Sequence, residues 1–278
     1  VAPKHYATFD LLLQDKVAFV TGAGGAICGE IAKALAEVGV SVAICDIRAE
    51  AAERTAKSIN DAGGKAIAVP CDAADRTRVD QAVAATVEAF GTIDILINGA
   101  GGSQREATTS EQLAFFNISP DAIIDAISMN YMTAVIPSQV VGRLFAEREK
   151  GVVLNVSSIA GLSPLTRSVA YSNAKAAMVN FTQWLAVHMA REYSPTIRVN
   201  SVAPGFVLTE QNRFLLVDER TGQATERGKR IIAHVPMGRY GEPWEMIGAV
   251  LWLVSDSASF VTGAVVPVDG GYSAFSGV

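Results

Sequence analysis

Short apolar, β-branched runs alternate with longer amphipathic segments from one end of this chain to the other, and few folds accommodate that rhythm. The runs are Val17–Val20, Ser41–Cys45, Ala66–Val69, Ile95–Ile97, Val152–Val156, Ile197–Val202 and Ala264–Val268. They are continuously apolar, as parallel strands covered on both faces must be. Helical spacing fills the intervals: Ile27, Ile31, Leu35 and Val38 recur on one face before Gly39 stops the pattern. Seven strands separated by helices predict an α/β fold, a doubly wound parallel seven-stranded sheet with right-handed crossovers. No linker, repeat or low-complexity stretch interrupts 1–278, so a single domain is expected. The segment 206–239 is polar, contains "DERTGQATERGKR", and reads as a substrate lid.

Composition narrows the classes. Half the residues are apolar and 18% are charged, which excludes a disordered chain. A net charge of −5 argues against nucleic acid as a partner, because phosphate backbones need a basic surface. The apolar helical run Met246–Val254 is too short for a bilayer, which needs about 20 residues. No membrane partner is therefore expected, and Val1–Asp15 lacks the apolar core of a secretory leader. Cys28, Cys45 and Cys71 lack metal-ligand spacing and read as buried thiols in a reducing compartment. His5, His188 and His234 are scattered, so no metal site is expected. These features together suggest a cytoplasmic protein.

The first functional signal is "TGAGGAICGEI", residues 21–31. It follows an apolar run and opens an amphipathic helix, the arrangement that places a pyrophosphate at a helix N-terminus. Gly22 suits the tight turn, while Gly24 and Gly25 keep bulk out of the loop. Ala26 and Cys28 stand where glycines are usual, but both are small. Asp46 ends the second strand, 24 positions after Gly22, where an acid can accept hydrogen bonds from an adenosine ribose. An acid there repels a 2′-phosphate, so NAD is expected over NADP. Arg48 stands close enough to weaken that preference, which leaves NADP possible.

The second signal is "YSNAK". Tyr171 and Lys175 lie i, i+4 on one helix face. A free phenol titrates near pH 10, and a neighbouring ammonium is expected to lower that value. Tyr171 can then pass a proton to a carbonyl oxygen or take one from an alcohol while hydride moves. Ser158 in "NVSSIAG", 13 residues upstream at a strand's carboxyl edge, can hydrogen-bond the reacting oxygen.

This ordered set resembles the short-chain dehydrogenase/reductase family of Rossmann-fold enzymes over essentially the whole chain. "TGAGGAIC" is similar to the family's TGxxxGxG with two glycines replaced. "NGAG", Asn98 to Gly101, is similar to its NNAG. Asn130 in "SMNYMTA", with Ser158, Tyr171 and Lys175, matches the catalytic tetrad. "RVNSVAPGFVLT" matches the turn that cups the nicotinamide, through Pro204, Gly205, Val207 and Thr209. The resemblance implies NAD(P)-dependent oxidoreduction. It further implies cofactor contacts from Ile27, Asp72, Asn98 and Ala100, and a homo-oligomer, dimer or tetramer, built on the helices that hold Asn130 and Tyr171. That second helix spreads Met178, Phe181, Trp184, Leu185 and Met189 over several faces and so needs a partner.

Asn98 and Asn130 are 32 apart, wider than is usual in the family, with the extra residues in "SQREATTSEQLAFFNISPD". That stretch, "LTEQNRFLLVDERTGQATERGKRIIAHVPMGRYGEP" and the terminal "VDGGYSAFSGV" resemble the branch acting on D-mannonate and D-fructuronate. This implies a sugar-acid substrate whose carboxylate needs a cation, since an unpaired buried charge is costly. Arg213 is the first candidate, Arg167 the second and Arg105 the third, with Gln211 and Asn212 as polar contacts. A neutral ketose, a polyol or a ketogluconate suits the same polar groups. An acyl-carrier substrate is disfavoured by the lack of a basic docking patch. A dinucleotide-sensing scaffold without catalysis is disfavoured by the intact tetrad.

Overall fold

The computed structural model describes residues 11–209, 213, 216–218 and 221–277. Asn212 and Gln211 lie outside the described residues, as does His5. Seven strands form one parallel sheet: β1 (Val17–Thr21), β2 (Ser41–Cys45), β3 (Lys65–Ala68), β4 (Ile95–Asn98), β5 (Gly151–Val156), β6 (Ile197–Pro204) and β7 (Val265–Val268). Their spatial order is β3-β2-β1-β4-β5-β6-β7, all neighbours parallel. Every strand lies within two residues of its expected bounds, and β2 matches them. β3 starts and stops one residue early, although the Val69 amide still bonds to the Ile44 carbonyl at 3.0 Å.

The apolar strands serve two cores. Ala18 and Val20 of β1 face one way, toward α1 (Ala26–Glu37), α2 (Ala49–Asp61) and α8 (Ile247–Val254). Val17 and Phe19 face the other, toward α3 (Arg76–Phe90), α5 (Thr133–Glu147) and α6 (Val169–Glu192). This double coverage keeps most strands continuously apolar; β6 is the exception, with Arg198, Asn200 and Ser201 buried and hydrogen-bonded. The chain order reverses between β1 and β4, so the crossovers part there and open a crevice at the carboxyl edge.

Two features departing from regular helix and sheet flank that crevice. α4 (Pro120–Ile127) runs into α5 through a π-helical turn, Ser128–Met132, which carries Asn130. Such widened turns recur at functional sites. The excursion after β6 leaves and returns at one place: Leu208 N donates to Gly241 O at 2.9 Å, and Gly241 N to Phe206 O at 3.0 Å. Within it lies α7 (Glu226–His234), capped by the Thr225 side chain. The expected polar segment is thus partly helical. Among the described residues, no helix is long and apolar enough to cross a membrane, and no His, Cys, Asp and Glu cluster could hold a metal.

Candidate active site

The crevice is a cleft of about 1140 Å³ that runs from the ends of β2 and β3, past the glycine turn, to α6 and α7. Gly22 adopts φ +69°, and a Cβ there would stand 2.8 Å from Gly99 O and 2.9 Å from Ala100 Cα. Only glycine lets β1's exit pass so close to the loop after β4. α1 begins at Gly25 with no capping side chain, which leaves its first-turn amides facing the cleft beside Ala26 and Ile27. An uncapped helix N-terminus in a glycine loop fits a pyrophosphate.

Gly24 does not line the cleft. Its amide donates to Asp46 Oδ2 at 3.0 Å, and a Cβ there would meet that same oxygen at 2.8 Å. Asp46 is therefore a brace for the turn as well as an acid facing it. Oδ1 takes the Arg48 amide at 3.0 Å and Arg48 Nε at 3.2 Å, which leaves accepting capacity chiefly on Oδ2. Asp72 lines the same end, one oxygen accepting from Ala74 N at 2.9 Å.

The two replaced glycines have a geometric explanation at Cys28. Its buried sulfur occupies the space beside Gly99, where an added Cβ would come within 2.0 Å of Sγ. The volume of a side chain at 99 has moved to 28. Ala26 sits exposed at the mouth, where its methyl group blocks nothing. Burial pushes the Cys28 thiol up to about 12, so it remains protonated and inert.

At the other end, Ser158, Tyr171 and Lys175 converge. Ser158 caps a short turn after β5, accepting from Ala160 N at 3.1 Å, and also hydrogen-bonds Tyr171. Lys175 Nζ donates to Val156 O, the last carbonyl of β5, at 3.0 Å. It lies 5.7 Å from the centre of the Tyr171 ring. Burial lowers the ammonium to about 8, with the nearby Cys28 thiol opposing. The expected lowering of the phenol is not what the structure shows. Burial raises Tyr171 above its ordinary value, and only the Ser158 hydrogen bond opposes it. In this state Tyr171 is a proton donor.

Two of the expected contact residues prove to be supports. Asn98 is buried, donates to Asn155 Oδ1 at 2.9 Å and to Ser138 Oγ at 3.0 Å, and does not line the cleft. Asn130 is fully buried. Its amide donates to Gly102 O at 2.8 Å and Ala126 O at 2.9 Å, and its oxygen accepts from Gly102 N at 2.9 Å. With the side chain so engaged, any link from Asn130 to Lys175 must run through its main chain. Ile27, Ala100, Pro204, Gly205, Val207 and Thr209 line the cleft as expected.

The arginine order changes. Arg213 is exposed and absent from the cleft wall, whereas Leu216, one turn on, is buried and lines it. Arg167 and Arg105 do line it, with Gln104, Thr108 and Gln112 from the enlarged loop. Arg167 holds φ +72°, and its carbonyl accepts from Thr109 N at 3.0 Å. Arg227 on α7 lines the cleft and was missed, because in the charge run it looked like a solvated face.

The known proteins agree with this geometry. The profile of a family described as enoyl-(acyl carrier protein) reductase matches residues 22–273. The uncharacterised oxidoreductase UxuB of Bacillus subtilis is 42% identical over 275 residues, covering 96% of this chain and 98% of its own. A Haemophilus protein provisionally assigned as a D-mannonate oxidoreductase, crystallised with NAD, is 40% identical with a TM-score of 0.89; the match covers 96% of this chain and 98% of that one. An actinorhodin polyketide ketoreductase variant with NADPH is 30% identical with a TM-score of 0.83, covering 94% and 98%. The chain belongs to the short-chain dehydrogenase/reductase family, and it is an NAD(P)-dependent oxidoreductase acting on hydroxyl groups. NAD(P), when bound, takes or supplies the hydride, and the protein's own groups handle the proton.

Replacing Tyr171 by Phe keeps the ring and removes the proton carrier, so turnover is expected to fall by about 10²–10⁴-fold while NAD binding, read by fluorescence, is retained. Because the phenol is raised, ketone reduction should hold through neutral pH and decline only as Tyr171 titrates, whereas alcohol oxidation should climb toward alkaline pH. Reduction that climbs, or oxidation that falls, toward alkaline pH would contradict this.

The Cys28 and Gly99 exchange is checked by a double-mutant cycle. Gly99→Ala alone should destabilise by about 1–3 kcal/mol through overpacking, and Cys28→Ala alone should lose a smaller amount through the void. In the double variant the new methyl takes the sulfur's place, so urea unfolding should show most of the loss recovered. Simple additivity would disprove the exchange.

Proposed function

We propose that this enzyme interconverts a keto group and a secondary alcohol on a sugar acid, D-fructuronate and D-mannonate being the best match, with NAD as the favoured cofactor. The observation that carries the reading is the sign of the cleft's charges. Asp46 and Asp72 are the carboxylates among its described lining residues, and both stand at the cofactor end near β2 and β3. Among the described lining residues, the half around Tyr171 carries Arg105, Arg167 and Arg227 and no carboxylate. A chain of net charge −5 has concentrated cations where the substrate must sit. Gln104, Thr108 and Gln112 supply hydrogen-bonding partners for hydroxyls.

The relatives support this reading: the Haemophilus protein was crystallised with NAD and bears the D-mannonate assignment. Arg167 becomes the first carboxylate candidate. It precedes Tyr171 by four positions, it has no hydrogen-bond or ion-pair partner for its guanidinium among the described residues, and its left-handed backbone is pinned by Thr109. Backbone strain held by a neighbouring loop is characteristic of functional positions. The excursion at 206–239 serves as the substrate-side wall and lid.

The test is a panel of sugar acids and matched neutral polyols with NAD and NADP. Wild type should favour the acids and NAD, and Arg167→Met should raise KM for the acid by the equivalent of about 1.5–3 kcal/mol. Equal kcat/KM for D-mannonate and D-mannitol would overturn the reading.

We also infer a homo-oligomer, dimer or tetramer, through α6. Phe181, Leu185 and Met189 pack inward, but Trp184 and Val187 are more than half exposed. Trp184 stacks on His188 with ring centres 4.7 Å apart, and Tyr193 meets His188 edge-on, so a rigid aromatic ridge faces outward. Trp184→Asp should shift the species measured by light scattering toward the monomer. A wild-type monomer at micromolar concentration would refute the interface.

A further inference from the structure

α7 reaches the substrate half of the cleft, and the way it is packed dictates which of its residues do so. Thr225 caps it, its hydroxyl accepting from Gly228 N at 3.1 Å, and Lys229 N bonds back to Thr225 O at 2.8 Å. Gly228 is buried against the excursion's return. A Cβ there would stand 2.4 Å from Leu216 O and 2.6 Å from the Tyr240 hydroxyl. Glycine is thus required for the helix to lie this close, and that contact sets its rotation. With Gly228 facing Leu216 and Tyr240, Arg227 and Ile231, four apart, fall on the cleft wall. Lys229 and Arg230 do not line the cleft, and Glu226 is taken by Lys229 at 2.7 Å.

Arg227 has no such explanation within the fold. It makes no ion pair or hydrogen bond among the described residues. In the first turn of a helix a cation also opposes the macrodipole, so the position is mildly destabilising rather than useful to α7. The neighbouring carboxylate, Glu226, is engaged by Lys229, so among the described residues no carboxylate pairs with Arg227. Ile231 beside it supplies an apolar surface that excludes water on that side.

We propose that Arg227 is a specificity-determining residue, a second guanidinium that selects substrates bearing a carboxylate and is aimed by the Gly228 contact with Leu216 and Tyr240. It rests on the sugar-acid reading above and adds a residue on a different element from Arg167. Two guanidinium groups arriving from separate elements, the loop before α6 and α7, suit the two oxygens of one carboxylate. A lysine at 227 would keep the charge and lose the fork.

The test compares Arg227→Met, Arg227→Lys and, as a control that faces away from the cleft, Arg230→Met. Each is assayed on D-mannonate and D-mannitol, and D-mannonate binding to the enzyme–NADH complex is read by calorimetry. Arg227→Met should lower the ratio of kcat/KM for acid over neutral substrate about tenfold or more, with most of the change in KM. Calorimetric affinity should fall in parallel, Arg227→Lys should recover part of both, and Arg230→Met should match wild type. If wild type favours the acid and Arg227→Met keeps that preference, the role of Arg227 is overturned and the sugar-acid reading stands. If wild type favours mannitol, both fall together.

Discussion

The relation between the catalytic helix and the cofactor crevice depends on a chain of buried amides. Asn98 at the end of β4 donates to Asn155 on β5, and Asn155 donates to Thr182 on α6 at 2.8 Å. Thr182 bonds in turn to Met178 O, and Asn98 also reaches Ser138 on α5. Each of these groups would be costly to bury without its partner, so the set tolerates little displacement. α6 carries Tyr171 and Lys175, β5 leads to Ser158, and β4 leads to the loop that faces the glycine turn. One polar network therefore sets the distance between the proton-handling groups and the place where the cofactor lies. Lys175 adds a second tie by donating to the last carbonyl of β5.

Electrostatics divides the cleft. The adenosine end carries Asp46 and Asp72, both partly engaged with backbone amides, and the far end carries arginines. A chain with an acidic total meets an anion only through such local arrangement, because the global field works against it. Arg48 sits on the boundary: it pairs with Asp46 and its guanidinium also donates to Gly24 O at 3.4 Å. Any ribose whose hydroxyls donate to Asp46 competes with that guanidinium, which tempers the discrimination between NAD and NADP.

The proton chemistry shows the limit of arguing from neighbours alone. Tyrosine and lysine four apart on a helix suggest that the ammonium lowers the phenol. In the folded chain Lys175 is buried and Tyr171 half-buried at the cleft wall, and desolvation disfavours the charged form of each. The phenol rises and the ammonium falls only to about 8, so at neutral pH a neutral phenol stands beside an ammonium rather than a phenolate. A protonated phenol suits reduction of a carbonyl, and the Ser158 hydrogen bond is what moderates it.

Apolar runs, glycine positions and tetrad spacing are local properties, and they determined the α/β sheet, the strand bounds to within two residues and the choice of Ser158, Tyr171 and Lys175, which the fold brings to one end of the cleft. They also marked the altered turn at Ala26 and Cys28, but not its remedy, because Cys28 and Gly99 are far apart in sequence and meet only when β1 and β4 pair. The same reason hid the supporting role of Asn98 and the side-chain clamp of Asn130, whose partners lie across the sheet or across a π-helical turn. Arg213 stands off the cleft wall and Arg227 on it, a difference invisible in sequence because a guanidinium in a charged stretch reads the same whether it faces solvent or a cleft. Which way it faces depends on how Gly228 meets Leu216 and Tyr240. Chemistry written in spacing along one element was legible from sequence alone, whereas direction and burial, which come from contact between distant elements, were decided by the tertiary structure.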